Sequence, residues 1–198
     1  IKEYDGSFRT IGVKALRKDL RVLSKSGYYA VAPGAEAGTR PFEVPLLKIL
    51  SDAQMPNDFK FRAAVLKFGD MPDGNTNTLA VEVPISALDT KEDVHTNLYS
   101  AHASIVAQIR DKSGVVVEHF ADDFTKRGAL ESLDRDHSTA ITMQRHFVTV
   151  PGTYTAEIAV QDRNNDKSSV QKITFEVKST PGALALSDMV LVGKMDAV

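Results

Sequence analysis

From Lys60 onward the apolar residues recur at every second position. Leu79, Val81, Val83 and Ile85 alternate with Ala80, Glu82, Pro84 and Ser86. Ala101, Ala103, Ile105, Ala107 and Ile109 alternate with Ser100, His102, Ser104, Val106 and Gln108. This is the period of strands with one face in a core. Residues 61–68 read as a strand apolar on both faces, and residues 69–78, with Pro72-Asp73-Gly74-Asn75, as a loop. Pro84 predicts an edge strand or a bulge, because proline cannot donate to a ladder. Asp111-Lys112-Ser113-Gly114 reads as a hairpin turn into a strand over 115–124. Residues 125–138 are polar, anchored only by Leu130 and Leu133, and predict a loop with a helical turn. Strands follow over 139–150, 153–161, 170–177 and 184–192.

The first sixty residues have a different texture. Ile11, Val13 and Ala15 alternate with polar neighbours, and Leu20 and Val22 follow Arg17-Lys18-Asp19, which predicts two short strands across a charged turn. After a Pro/Gly-rich connector, Phe42, Leu46, Leu47, Ile49 and Leu50 fall at helical spacing, with Pro45 acceptable in a first turn. One short helix over 44–53 is expected, its apolar stripe plugging one end of a sheet. About seven strands without intervening helices predict a mainly β protein, an immunoglobulin-like antiparallel β-sandwich with one short helix and an N-terminal β-hairpin. Tyr154 follows Pro151-Gly152-Thr153 at the start of a late strand, where a hydroxyl bonding back to the corner is expected. The domain reading is an N-terminal β segment over 1–31, a linker and helix over 32–59, a sandwich over 60–192 and a tail over 193–198.

Composition narrows the chemistry. With 24 Lys and Arg against 26 Asp and Glu, the net charge of −2 argues against a polybasic nucleic-acid or membrane-surface protein. The absence of cysteine excludes disulfides, thiolate metal sites and a cysteine nucleophile. No apolar run approaches the roughly 18 residues of a membrane span. The chain opens on Ile1-Lys2-Glu3-Tyr4 with neither Met nor a leader, as expected of a piece of a longer protein.

The sites suggested by spacing are weak. No Gly-x-Ser-x-Gly elbow occurs, and His95, His102, His119, His137 and His146 are isolated and expected on the surface. Gly193-Lys194 lacks the rest of a phosphate loop. Asp162, Asn164 and Asp166 match the first half of a calcium loop, but Lys167 replaces its glycine and Ile173 its bidentate Glu. An ordinary hairpin tip uses the same residues. Asp134, Asp136 and His137 form a second oxygen–nitrogen cluster and Asp122-Asp123 a third, both expected as solvated loop charge. No catalytic, cofactor-binding or metal residue is assigned on these patterns, and no cofactor is expected.

Two stretches resemble a known family. Tyr4-Asp5-Gly6-Ser7-Phe8-Arg9, continuing through Ile11 and Val13 to Leu20-Arg21-Val22 and Ser26-Gly27-Tyr28-Tyr29-Ala30, resembles the segment closing the von Willebrand factor A-like region of bacterial VWFA-related proteins of acidobacterial type. Phe42-Glu43-Val44-Pro45-Leu46-Leu47 and Pro56-Asn57-Asp58-Phe59-x-Phe61-Arg62 are similar to the helix and strand that follow there, and Pro151-Gly152-x-Tyr154 and Leu186 to Val192 to their C-terminal β-rich part. The resemblance implies a C-terminal module of an exported or envelope-associated protein, periplasmic or extracellular. The Asp-x-Ser-x-Ser metal motif of A-domains is missing; Asp5-Gly6-Ser7, Asp111-Lys112-Ser113, Asp136-His137-Ser138 and Asp166-Lys167-Ser168 all lack its second Ser.

The expected function is therefore non-catalytic binding or scaffolding by protein–protein contact, with another protein or another domain of the parent chain as partner. No nucleic acid and no direct membrane insertion are expected. Pro84 marks a candidate open edge, residues 125–138 a contact loop, and Val106 and Phe124 candidate exposed anchors. A carbohydrate or cell-wall module is the alternative, weakened by the lack of tryptophan. A hydrolase or metal-dependent enzyme built from the scattered His and Asp residues ranks last.

Overall fold

The protein, seen in a computed structural model, is described over residues 8–10, 27–29, 39–52, 54–71, 74–178 and 187–189, with side chains excepted at 8–10, 27–29, 68–71 and 74. It is mainly β. Strand β1 (Phe8–Thr10) pairs antiparallel with β2 (Gly27–Tyr29). The expected strands at Ile11–Ala15 and Leu20–Val22, the connector before Thr39 and most of the expected strand over 184–192 lie outside the described residues. Helix α1 (Glu43–Ser51) follows, then β3 (Arg62–Met71), β4 (Gly74–Pro84), β5 (Thr90–Asp93), β6 (Leu98–Asp111) and β7 (Val116–Ala129). A four-residue helix α2 (Leu133–Asp136) precedes β8 (Ala140–Thr149), β9 (Gly152–Asp162) and β10 (Ser168–Val177).

Two antiparallel sheets result. One has the order β3-β4-β8. In the other, β10-β9-β6-β7 run side by side, and β5 pairs with the start of β6 in line with β9. Inward side chains of both sheets merge into one core. Leu79, Val81 and Val83 of β4 and Ile141, Met143 and Phe147 of β8 meet Ile105 and Ile109 of β6 and Ile158 and Val160 of β9. Fully burying each such side chain contributes about 1.5–3 kcal/mol. At one end Tyr154 stacks on Phe175, with centroids 5.6 Å apart, and Phe147 bridges Phe175 to Phe120.

Several sequence expectations are corrected. Residues 69–71 and 74–78 are strand rather than loop, because β3 and β4 pair down to Met71↔Gly74 with a bulge between Lys67 and Gly69, while 72–73 lie outside the described residues. Buried Asn75 and Asn77 stand at the end of this pairing, and Asn77 Nδ2 donates to the Asn75 carbonyl and to Thr149 Oγ1, so hydrogen bonds replace the expected apolar pattern. Pro84 does not mark an edge: β4 is the middle strand, and Pro84 is its last residue, after which the chain leaves in a single helical turn, Ile85–Ala87. Residues 125–129 are not loop either, since β7 runs on to Ala129 to satisfy the first third of the fourteen-residue β6. Polar β5 escaped the apolar pattern altogether.

Helix α1 does not plug an end of a sheet. Its Leu46 and Leu50 lie on the outer face of the larger sheet, over Val106, Ala121, Ala159 and Val170. Those four residues form one continuous row across β7, β6, β9 and β10, because Val106 is opposite both Ala121 and Ala159, and Ala159 is opposite Val170. Small side chains on the flanking strands let the helix approach closely. Val106 is accordingly fully buried, and Phe124 packs on the inner core, so neither is the exposed anchor expected.

Candidate functional site

The covered row divides the outer face of the larger sheet into two polar zones. Below it lies a satisfied charge network on His119, Gln108, Glu157 and Lys172, neighbours across the four strands. Arg110 Nε donates to Glu157 Oε2 at 2.7 Å and its Nη2 to Gln108 Oε1 at 2.7 Å, while Lys172 Nζ meets Glu157 Oε1 at 2.7 Å. Burial alone would raise the Glu157 carboxyl, but the bonds from Lys172 and Arg110 outweigh it and hold it below the ordinary carboxylate value.

The same logic fastens the start of α1. Glu43 is buried at 3% exposure. Its Oε1 accepts from the Arg40 backbone N–H at 3.1 Å and from Arg40 Nε at 3.0 Å, and its Oε2 meets His119 Nε2 at 2.8 Å. Burial pushes this carboxyl up, and the bonds from His119 and Arg40 more than reverse that push. Arg40 also donates to the Ala121 carbonyl and lies 4.9 Å from the Phe42 ring centroid. One ionic clamp thus ties helix, connector and β7 together.

Above the covered row Ser104, Gln161 and Ser168 are still buried, and the face opens only beyond them, at Lys91, Thr125 and Arg127. His102 Nε2 meets Asp123 Oδ1 at 2.9 Å, and the same oxygen accepts from Ser104 Oγ at 2.6 Å. His102 stands on the outer face, opposite in direction to core Ala101 and Ala103 as the alternation predicts, and is half-buried there. Beyond it, Lys91, Ser100 and Arg127 form a row across β5, β6 and β7. Arg163 bonds through its backbone N–H to the His102 carbonyl and through Nη1 to Gln161 Oε1.

Several of the spacing-based candidates are engaged in hydrogen bonds and ion pairs within the fold. Asp162 is buried, and its carboxylate accepts from the backbone N–H of Asp89 at 2.6 Å and of Asn164 at 2.9 Å. Asn164 Nδ2 donates to the Asp89 and Ser100 carbonyls. Together they splice β5 onto the end of β9, and Asp166, with φ 61°, donates its backbone N–H to the Asp162 carbonyl at 2.9 Å. Asp136 Oδ2 accepts from Tyr99 Oη at 2.8 Å and Ser132 Oγ at 2.7 Å, whereas Asp134 and His137 share in neither bond. Asp122 and Asp123 point to opposite faces: Asp122 pairs with Arg145 across the two sheets, and Asp123 serves the outer face. His146 bonds Thr78 Oγ1 at 2.8 Å, and His95 lies in the β5–β6 turn. Among the described residues no three His, Asp or Glu side chains gather as a cation-binding set.

The clamp of Arg40, Glu43 and His119 carried no sequence signal, because its members are joined only by strand register and helix docking. The covered row did carry one: Val106, Ala121 and Ala159 are apolar at positions that alternation assigns to the outer face.

No family model matches the chain, and no curated protein is similar to it. Among solved structures, "X-ray structure of Northeast Structural Genomics Consortium target SoR45" is similar at 13% identity and a TM-score of 0.36, covering 67% of this chain and 95% of that one. Among the described residues no helix is long and apolar enough to cross a membrane.

Proposed function

We propose that the chain is a non-catalytic binding or scaffolding module with an immunoglobulin-like sandwich, part of an exported or envelope-associated bacterial protein, and that it works by protein–protein contact. The strand order supports the fold assignment. With β3, β4 and β8 in the places of strands A, B and E, and β10, β9 and β6 in those of G, F and C, β7 occupies the extra position beside C. The Tyr154 bond across the turn between β8 and β9 fits the tyrosine corner of that fold. The resemblance of the N-terminal segment and helix region to VWFA-related proteins supports the placement in the envelope.

The observation that carries the contact reading is β7. It is fourteen residues long, pairs only with β6 among the described residues, and carries exposed Thr125 and Arg127 at the uncovered corner of the outer face. The edges of β10 and β3 are partly covered: residues 56–58 bond along the start of β10, and Asp188 bonds both backbone groups of Lys67 on β3, which leaves β7 longer than the other one-sided strands, β8 and β5. An unpaired strand edge is a ready template for association. A photocrosslinker placed at Thr125 in the full-length protein, in its own cells, gives a discrete protein adduct on this reading. The same adducts from Lys112 at the turn, or none from Thr125, overturn it.

A further inference from the structure

We infer, building on the protein-contact reading, that the exposed corner of the larger sheet's outer face around Lys91, Thr125 and Arg127 receives an acidic, extended segment of the partner. Lys91 and Arg127 flank Ser100 in one row, so two interstrand spacings of ~4.8 Å set their Cα atoms ~10 Å apart on one face. Arg163 stands beside the next row, where its N–H bonds the His102 carbonyl, and its guanidinium rests on Gln161. None of the three forms an ion pair among the described residues. The cations of the lower zone, by contrast, are consumed by Glu157 and Glu43.

Of the carboxylates near the upper zone, Asp123 and Asp93 are engaged, while exposed Asp89 stands two residues before Lys91. Asp123 bonds His102 and Ser104, and Asp93 accepts the backbone N–H groups of His95 and Thr96 in the turn after β5. Ser100 adds a hydroxyl between Lys91 and Arg127, and Thr125 another on β7 in the next row. A chain laid along the β7 edge would place alternate side chains over this face one strand spacing from Arg127, while Lys91, three spacings of ~4.8 Å from that chain, adds to the cationic field without a direct pair. Cationic rows of this kind favour anionic partners, with an on-rate that falls as salt rises.

The test uses fluorescein-labelled oligoglutamate, an oligo-Gln control, heparin and phosphatidylglycerol vesicles against the whole chain at low ionic strength. Oligoglutamate is expected to bind and oligo-Gln not, with K91E/R127E weakening binding at least about tenfold and K112E leaving it unchanged. Circular dichroism verifies that both variants fold. No oligoglutamate binding, equal loss in K112E, or preference for heparin or vesicles overturns the acidic-segment proposal. A Thr125 adduct that persists in K91E/R127E overturns it while leaving the protein-contact reading standing; absence of the adduct in the protein with Lys91 and Arg127 intact removes that reading itself.

Discussion

The Tyr154 hydroxyl lies 2.9 Å from the Val150 carbonyl oxygen and donates to it across the turn between β8 and β9. The ring is buried and stacked on Phe175, so the bond fixes the chain where it passes from the smaller sheet to the larger. Burial, aided by the charge of Asp111, raises the phenol above its ordinary value and keeps the donor protonated.

Tyr154→Phe keeps the stack and removes only this bond. The expected loss is about 0.5–1.5 kcal/mol, read as a lower urea midpoint with an unchanged slope. A Phe variant as stable as the parent shows that the corner is held by packing alone.

Tyr99 poses a tighter constraint. Its ring is so close to Gly128 that a Cβ there would stand 2.5 Å from Cε1. The ring cannot swing away, because the hydroxyl is tied to Asp136, and burial first, then that bond, pushes the phenol up to about 12. Gly128→Ala should therefore cost about 1–3 kcal/mol through overpacking. Gly114→Ala is a different case, strained only by its φ of 85° with nothing nearby. Thermal melts of the two variants separate crowding from backbone strain; equal losses refute the crowding account.

What could be read from the sequence was what the core dictates. The alternation around Ile105, Ile109, Ile158 and Val160 located β6 and β9, and the helical spacing of Leu46 and Leu50 located α1, because burial enforces those periods. Where hydrogen bonds or register decide, the pattern was silent. Thr90–Asp93 is polar yet paired, Asn75 and Asn77 are polar yet buried, and Glu43 finds His119 only when α1 lies across the sheet. The spacing of Asp162, Asn164 and Asp166 suggested a cation because oxygen at every second position also suits a strand junction.

Glu43 makes α1 docking sensitive to acid. Its folded value lies below the ordinary 4.5, so its contribution is fully present above that value and is lost as pH falls through the folded one. Glu43→Gln keeps the shape, should cost about 1–3 kcal/mol at neutral pH, and should shrink toward no cost in acid. Urea midpoints of both proteins across the acid range measure this difference, which cancels the parallel contribution of Glu157. A pH-independent gap would show that the clamp acts through packing of Arg40 on Phe42 instead.

Asp162 distinguishes a strand splice from a cation site. Its two oxygens already accept the Asp89 and Asn164 amides, so a calcium ion would have to displace hydrogen bonds that join β5 to β9. Asp162→Asn retains one carbonyl acceptor but presents an NH2 to the other amide, leaving a buried donor facing a donor. The cost should be about 1–3 kcal/mol, with hydrogen-exchange protection lost first at Lys91 and Ser100. Calcium in millimolar excess should leave the melting temperature of the parent unchanged, whereas a ligand binding only the folded state raises it. A calcium-dependent rise abolished by Asp162→Asn would return these three residues to the role their spacing suggested.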